Sequence, residues 1–349
     1  MSEMDNRVTL TVAGMEYGGW KSVEITADLE RQFRTFKLSI TWQWPGQTVD
    51  QRINPGDACE VRIGKDLVLT GYVFKAPISY DGRQISLSIE GSSNTQDLVD
   101  CAATNRPNQW HGQSLLSIVE ALAMNYSLYV VSEIPETARL SSHTIVPGET
   151  VFQSIDRLLS LFRVFSTDDA QGRLVLAKPG SSGRASDALE LGKNILSANA
   201  PMDYSQVFSE YRVIGQHKGT DTQSGAAVSE VESVATDLSF KRRRTTVINE
   251  GTQLTFELAQ QRANWESATR IGRAQSTTYQ VQGWRQSNGD LWRHNTLVRV
   301  KDPVLGFDDD LLISKVTYSL SAQGSITTLH LAPPHTFDAN PEPPKKTSA

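Results

Sequence analysis

The stretch that most constrains this chain is Phe36, Leu38, Ile40, Trp42 and Trp44, apolar at every second position. Successive side chains of a strand point to opposite faces, so this period puts all five groups on one face of a half-buried antiparallel strand. Pro45-Gly46, a pair that cannot continue a ladder, ends it. The same period dominates residues 7 to about 91. Val8, Leu10 and Val12 alternate in VTLTV; CEVRI, LVLTGYV and QISLSIE follow, the last with Ile85, Leu87 and Ile89 in phase behind a Tyr80-Asp81-Gly82 turn. Short strands separated by turns predict a small sandwich or barrel.

From about 96 to 180 the pattern turns partly helical. Leu115, Val119 and Leu122, with Ile118 beside them, share one helical face, as do Val151, Ile155, Leu158, Leu159 and Phe162 behind a Thr150 cap. SLYVV, RVFST and RLVLA read as strands, the last two joined by a turn over Asp168 to Gly172, so this region is a compact α/β insert. KPGSSGRA, residues 178–185, reads as a connecting loop. VFSEYRVIG returns to a strand, with Val207, Tyr211 and Val213 in phase. Residues 216–250 are polar without a sustained period and contain Lys241-Arg242-Arg243-Arg244, which predicts a long excursion loop ordered against a partner. A helix over about 255–275, carrying Leu258, Arg262, Trp265 and Ile271, precedes further strands up to Leu331, and PEPPKK marks a disordered tail.

The two halves echo one another. Val61-Arg62-Ile63, a strand opening at Leu67, a turn at Gly82 and the alternation Ile85, Leu87, Ile89 are matched by Val298-Arg299-Val300, Leu311, Gly324 and Ile326, Leu329, Leu331. Either the chain contains two copies of one small barrel, or this is the likeness that any two β-hairpins share.

Composition and motifs narrow the chemistry. A length of 349 residues suggests two or three domains, and 34 basic against 39 acidic residues argues against a general nucleic-acid binder. Acidic Glu3, Asp5 and Glu16 interrupt the start, so no secretory signal is read and folding in a cytoplasm is expected; no window has the apolar length of a membrane span. Cys59 and Cys101 lack metal or disulfide spacing and read as two reduced thiols. Gly64-Lys65 runs into Asp66 and Gly192-Lys193 into Asn194, so neither is a phosphate loop. Histidines 111, 143, 217, 294, 330 and 335 have no ligand spacing, and His330 reads as structural on a strand. Asp308-Asp309-Asp310 lacks the alternating oxygens and glycine of a calcium loop and reads as a solvated loop. The basic run has no interleaved aromatics, which favours a solvated or subunit-contacting loop over a nucleic-acid stripe.

VTLTVAGMEYGGWKSVEIT, LVLTGYVFKAPISYDGRQISLSIEGSSNTQDLVDCAA followed by Gln109-Trp110, VFSEYRVIGQ, GWRQSNGDLW and LLISKVTYSL together resemble the baseplate central hub proteins of Mu-like contractile bacteriophages, in order, from about residue 7 to 333. The hub portions of type VI secretion spikes share that design. The resemblance implies a mixed, mainly β fold: two similar small antiparallel β-barrels, an inserted α/β domain and a helical connection. On that reading residues 1–95 begin the first barrel, 96–180 are the insert, 181–215 return to the barrels, 216–275 are the excursion and helix, 276–333 the second barrel, and 334–349 a disordered tail. It also implies a homotrimeric, pseudo-sixfold ring in the virion baseplate, assembled in the bacterial cytoplasm. Its expected partners are a tail tube or tube-initiator protein, a trimeric spike made as a separate protein because this chain ends soon after its last strand, a tape-measure protein and baseplate wedge proteins. No catalytic residue, cofactor, metal, membrane anchor or specific nucleic-acid binding is implied, although DNA would pass the pore. Two other readings are a tail-borne cell-wall hydrolase and a host-glycan-binding module.

Overall fold

The computed structural model describes residues 6–43, 53–82, 84–135, 137, 139–216, 230–237, 241–253 and 255–338. Trp44, the Pro45-Gly46 turn, His217 and the PEPPKK tail lie outside the described residues. The chain divides into two compact units: residues 1–155, 166–199 and 278–331 form the first, and 156–165, 200–277 and 332–349 the second.

The first unit opens with strands β1 (Val8–Val12), β2 (Met15–Tyr17), β3 (Ser22–Asp28), β4 (Thr35–Gln43), β5 (Ala58–Ile63), β6 (Asp66–Lys75), β7 (Ile78–Tyr80) and β8 (Gln84–Ser93). The short helix α1 (Gln96–Asp100) leads into the insert, which holds β9 (Gln109–Gln113), α2 (Leu115–Met124), β10 (Val130–Ser132), β11 (Leu140–Thr144), α3 (Val151–Phe162), β12 (Phe165–Asp168) and β13 (Leu174–Ala177). Strands β14 (Leu189–Glu190) and β15 (Ile195–Asn199) follow. The second unit contributes β16 (Glu210–Gln216), β17 (Glu230–Thr236), β18 (Thr245–Gln253) and α4 (Phe256–Ala274). The chain then returns through β19 (Thr277–Gln282), β20 (Thr296–Asp302), β21 (Phe307–Ser321) and β22 (Gly324–Ala332) and ends its described part in a 3-10 helix, Pro334–Phe337.

The alternation read from the sequence is the alternation of burial. Val8, Leu10 and Val12, then Cys59, Val61 and Ile63, point inward, as do Val298 and Val300 of the echoed motif. All belong to one apolar cluster that also takes in Trp284 and Trp292. The echo is a duplication of strand order. β3, β4, β5, β6 and β8 lie side by side as β3-β4-β8-β6-β5, and β15, β19, β20, β21 and β22 as β15-β19-β22-β21-β20. Numbered along the chain, both sets read first, second, fifth, fourth, third. The two similar units run into one 14-stranded sheet through an antiparallel pairing of β21 with β3, Lys315 opposite Asp28 and Leu320 opposite Val23. β21 is 15 residues long; its first half pairs with β20 and its second with β3. Where β6 and β8 run together, two glycines are obligatory: a Cβ on Gly71 would lie 1.8 Å from the Ser92 carbonyl oxygen, and one on Gly91 2.2 Å from that of Tyr72.

In the insert, Leu115, Ile118, Val119 and Leu122 are fully buried along α2, which Ser114 caps. Thr150 accepts from the Gln153 amide at the start of α3, as its cap position predicts. β10 runs parallel to β13.

The second unit differs from the expected excursion loop. Within 216–250, residues 230–236 and 245–250 belong to strands, β17 antiparallel and β18 parallel to β16. Helix α4 covers this sheet mainly with the fully buried Ala259 and Ala263, with the larger Leu258 packed at the margin of the same cluster, where β17 offers the small Ser233 and Ala235. Small residues on both sides let helix and sheet approach closely. Ser233 Oγ then donates to Gln260 Oε1 at 2.5 Å, and Gln260 Nε2 donates to the Val234 carbonyl at 3.1 Å.

Candidate functional site

The densest polar chemistry in the first unit lies where the insert meets the duplicated strands. Arg34 precedes β4, Ser93 ends β8, Asp168 ends β12 and His294 precedes β20. The Arg34 amide donates to Asp168 Oδ2 at 3.0 Å and Arg34 Nε donates to Oδ1 at 3.1 Å. The other guanidinium nitrogens donate to the carbonyls of Val68 and Asp168 at 2.9 and 3.1 Å, and Ser93 Oγ donates to Asp168 Oδ2 at 2.5 Å. The Asp168 side chain is 1% exposed and that of Arg34 15%. Burial pushes the Asp168 carboxyl up, against the opposing pull of Arg34 and Ser93. Beside it His294 Nε2 lies 3.0 Å from Thr167 Oγ1, and burial, helped by the Arg34 charge, lowers this imidazole to about 3.

Serine, histidine and aspartate thus meet in one place without forming a nucleophile–base relay. The serine hydroxyl is spent on a carboxylate that an arginine already holds, and the imidazole bonds a threonine, so no imidazole faces Ser93. What the arrangement does is fasten. Thr70 Oγ1 donates to the Ala170 carbonyl at 3.0 Å and Ser166 Oγ to Gln32 Oε1 at 2.5 Å, so the β12–β13 hairpin is clamped onto β6 and the loop before β4. A second clamp joins the two strand sets: Arg285 donates to Asp66 Oδ2 at 2.6 Å and to the Ile63 carbonyl at 3.0 Å.

The residues singled out in the sequence fall as follows. Asp308, Asp309 and Asp310 are on strand β21 rather than in a loop, with Asp308 and Asp309 still exposed; Asp310 pairs with Arg184, and Asp308 pairs diagonally with Arg299 of β20, whose register partner is Asp310. Among the described residues no group of three or more His, Cys, Asp or Glu could hold a metal. Cys59 and Cys101 are free, and burial raises the Cys59 thiol to about 12. His143 bonds Ser154 Oγ at 2.9 Å, and His330 Nδ1 lies 3.1 Å from Thr278 Oγ1 on the neighbouring strand. Within the basic run Lys241, Arg242 and Arg243 are exposed, while Arg244 is a brace of the second unit. Its guanidinium donates to the carbonyls of Tyr204, Ser205 and Val207 and lies 4.6 Å above the Phe208 ring. Sequence reading missed Arg34 and Arg244 as anchors. Their only local signal is an arginine beside a turn.

Among the sheet edges of the first unit, β7 and β15 carry the most exposed apolar side chains. β7 pairs only with β8 and β15 only with β19 among the described residues. Ile78 and Tyr80 of β7 are 56% and 83% exposed, and Leu196 of β15 54%. Unpaired backbone groups on such edges can extend a sheet across an interface. Among the described residues no helix is long and apolar enough to cross a membrane.

Comparison with known proteins places this geometry. Residues 7–93 match the family model of the Mu phage baseplate assembly protein GpP-like N-terminal domain, 95–178 that of the baseplate hub protein gp44-like second domain, and 255–340 that of the GpP fourth domain. Baseplate hub protein gp44 of Escherichia phage Mu is 30% identical over 96% of this chain and 89% of its own length. The prophage MuSo2 43 kDa tail protein of Shewanella oneidensis superimposes with a TM-score of 0.86 at 29% identity, over 95% of this chain and 99% of that one. The E. coli c3393 protein, a component of the type VI secretion system, shares the fold, with a TM-score of 0.54 at 12% identity over 93% of this chain and 76% of its own.

Proposed function

Because the chain belongs to the Mu phage baseplate hub family, we propose that it forms a homotrimeric ring of pseudo-sixfold symmetry that adapts a hexameric tail tube to a trimeric cell-puncturing spike. That it is a baseplate hub protein of a phage tail follows from the family itself. The observation that carries the finer reading is the duplicated order β3-β4-β8-β6-β5 and β15-β19-β22-β21-β20. A ring of three chains can meet a sixfold tube evenly only if each chain offers two quasi-equivalent surfaces, and a duplicated unit supplies them inside closed threefold symmetry. The work of such a hub is mechanical: it passes the load of sheath contraction from tube to spike and then leaves a path for DNA. The clamps at Arg34–Asp168 and Arg285–Asp66 suit that work, since they tie the insert and both strand sets together. Tube or tube-initiator, tape-measure and wedge proteins are its expected neighbours, and assembly in the host cytoplasm its expected route.

Imaging of tail particles tests this. Density for this chain with threefold symmetry, six similar units around a channel and a tube on one face supports the proposal; one copy per tail, or a position away from the axis, overturns it. The hydrolase and glycan-binding readings predict clearing in a peptidoglycan gel and saturable sugar binding by a monomer, respectively.

A further inference from the structure

We infer that neighbouring copies of this chain are joined by strand pairing between the open edge of β7 on one copy and the open edge of β15 on the next, an intermolecular repeat of the pairing that joins β21 to β3 within the chain. This rests on the ring reading above.

The duplication makes β3 the counterpart of β15, and β6 the counterpart of β21. β21 runs unbroken from Phe307 to Ser321, whereas its counterpart is interrupted at Ala76-Pro77 and continues as β7. In the second set the far half of β21 extends beyond β20 and takes β3 of the first set as its neighbour. In the first set β6 and β7 likewise extend beyond β5, whose pairing ends at Tyr72. There the strand equivalent to β3 is β15, which cannot fill both positions inside one chain: the two open edges are the two halves of one unmade junction. In a head-to-tail ring the first set of one copy meets the second set of the next, so the junction closes between copies.

Backbone direction agrees. The Ser88 amide donates to the Pro77 carbonyl at 3.2 Å, so Pro77 faces β8 and its missing N–H leaves the outer edge intact. In an antiparallel ladder the backbone groups of the next residue point the other way, so those of Ile78 and Tyr80 face the open side. Side chains agree too. Neither Ile78-Ser79-Tyr80 nor Ile195-Leu196-Ser197-Ala198-Asn199 carries a charge. Solitary edges are ordinarily guarded by lysine, an outward proline or a bulge. β15 bulges at Leu196, but neither edge carries a charge or an outward proline, and both expose apolar side chains to a partner.

The test is molar mass by sedimentation equilibrium against concentration for the purified full chain. The wild type and Tyr80→Phe, which keeps the amide, are expected as three-chain assemblies. Tyr80→Pro removes an edge donor and Leu196→Lys adds a charge at the facing edge. Each is expected to raise the concentration of half-dissociation by about tenfold or more, the scale of a lost hydrogen bond at an interface, with near-ultraviolet circular dichroism unchanged. A trimeric wild type whose two variants dissociate as it does overturns the strand pairing and leaves the ring standing. A wild type that stays monomeric overturns both. Should either variant misfold, a Tyr80→Cys, Leu196→Cys chain treated with a short bis-maleimide decides: a covalent three-chain band absent from wild type supports the junction, and monomers alone refute it.

Discussion

Removing the Asp168 carboxylate isolates the clamp that holds the insert. In Asp168→Ala the Arg34 guanidinium keeps its bonds to two carbonyls but loses its counter-charge, while Ser93 Oγ loses its carboxylate acceptor. The Arg34 amide retains Ser93 Oγ at 3.0 Å. Stripping one partner from a buried ion pair costs about 3–5 kcal/mol, since the remaining charge stays desolvated. Replacing both, as in Arg34→Met with Asp168→Ala, removes the stranded charge and is expected to cost less than Asp168→Ala alone, with a coupling in the cycle of about 1–3 kcal/mol. Urea unfolding followed by tryptophan fluorescence reads this unit, because Trp284 and Trp292 are buried in its core. With a slope of about 1–3 kcal/mol per molar urea, Asp168→Ala moves the midpoint down by roughly 1–5 M at unchanged slope. Asp308→Ala, which breaks only an exposed pair with Arg299, is the control and moves it little. A loss below about 1 kcal/mol in Asp168→Ala, or a double variant worse than that single one, would refute the claim that this network is a clamp.

Three more outcomes follow from the same geometry. His294 is held neutral in the fold down to about 3, whereas in the unfolded chain it charges below about 6.5; the unfolded state therefore binds more protons between these values, and stability falls as pH drops through that window, by up to about 5 kcal/mol. His294→Gln should flatten the slope between pH ~6.5 and ~5, above the range in which most free carboxyls titrate, and an unchanged slope would count against the assignment. Arg244→Ala should loosen the second unit by about 2–3 kcal/mol through lost bonds to three carbonyls and the Phe208 contact, while Arg242→Ala and Arg243→Ala stay within about 0.5 kcal/mol, as read by amide exchange in β16 and α4. Gly91→Val should prevent the close β6–β8 approach and abolish soluble trimer and monomer alike in an expression assay, because a Cβ there meets both the Tyr72 carbonyl and the Phe36 ring at 2.6 Å.

Which parts of the fold are legible before folding depends on how local their cause is. Strands β1, β5 and β8 and helices α2 and α3 announce themselves, since large apolar side chains recur at the period of the element that buries them. β17 does not: its inward Ser233 and Ala235 look like surface residues, because one bonds the Gln260 side chain and the other packs with the small Ala259 and Ala263 of the helix. Helix α4 is legible along the chain, yet its fully buried positions are small ones, Ala259 and Ala263 among them, and of the larger residues that mark it Leu258 reaches the core of this unit only at its margin. Asp308 and Asp310 look unpaired until β20 brings Arg299, and the segment bridged to Leu297 brings Arg184, beside them, although Asp308 stays exposed.

The sequence by itself determined the mainly β class, the position of the α/β insert, the echo between Val61-Arg62-Ile63 and Val298-Arg299-Val300, and, by resemblance, the hub family. Tertiary structure decided that the echo is a repeat of strand order, that β21 crosses from one set to the other, and that Arg34 and Asp168 meet. Periodicity is written by neighbours a few positions apart and survives in the sequence. Pairing of Leu320 with Val23, or of Arg34 with Asp168, joins residues far apart along the chain; it is selected by what the whole core can bury together, and leaves no local mark.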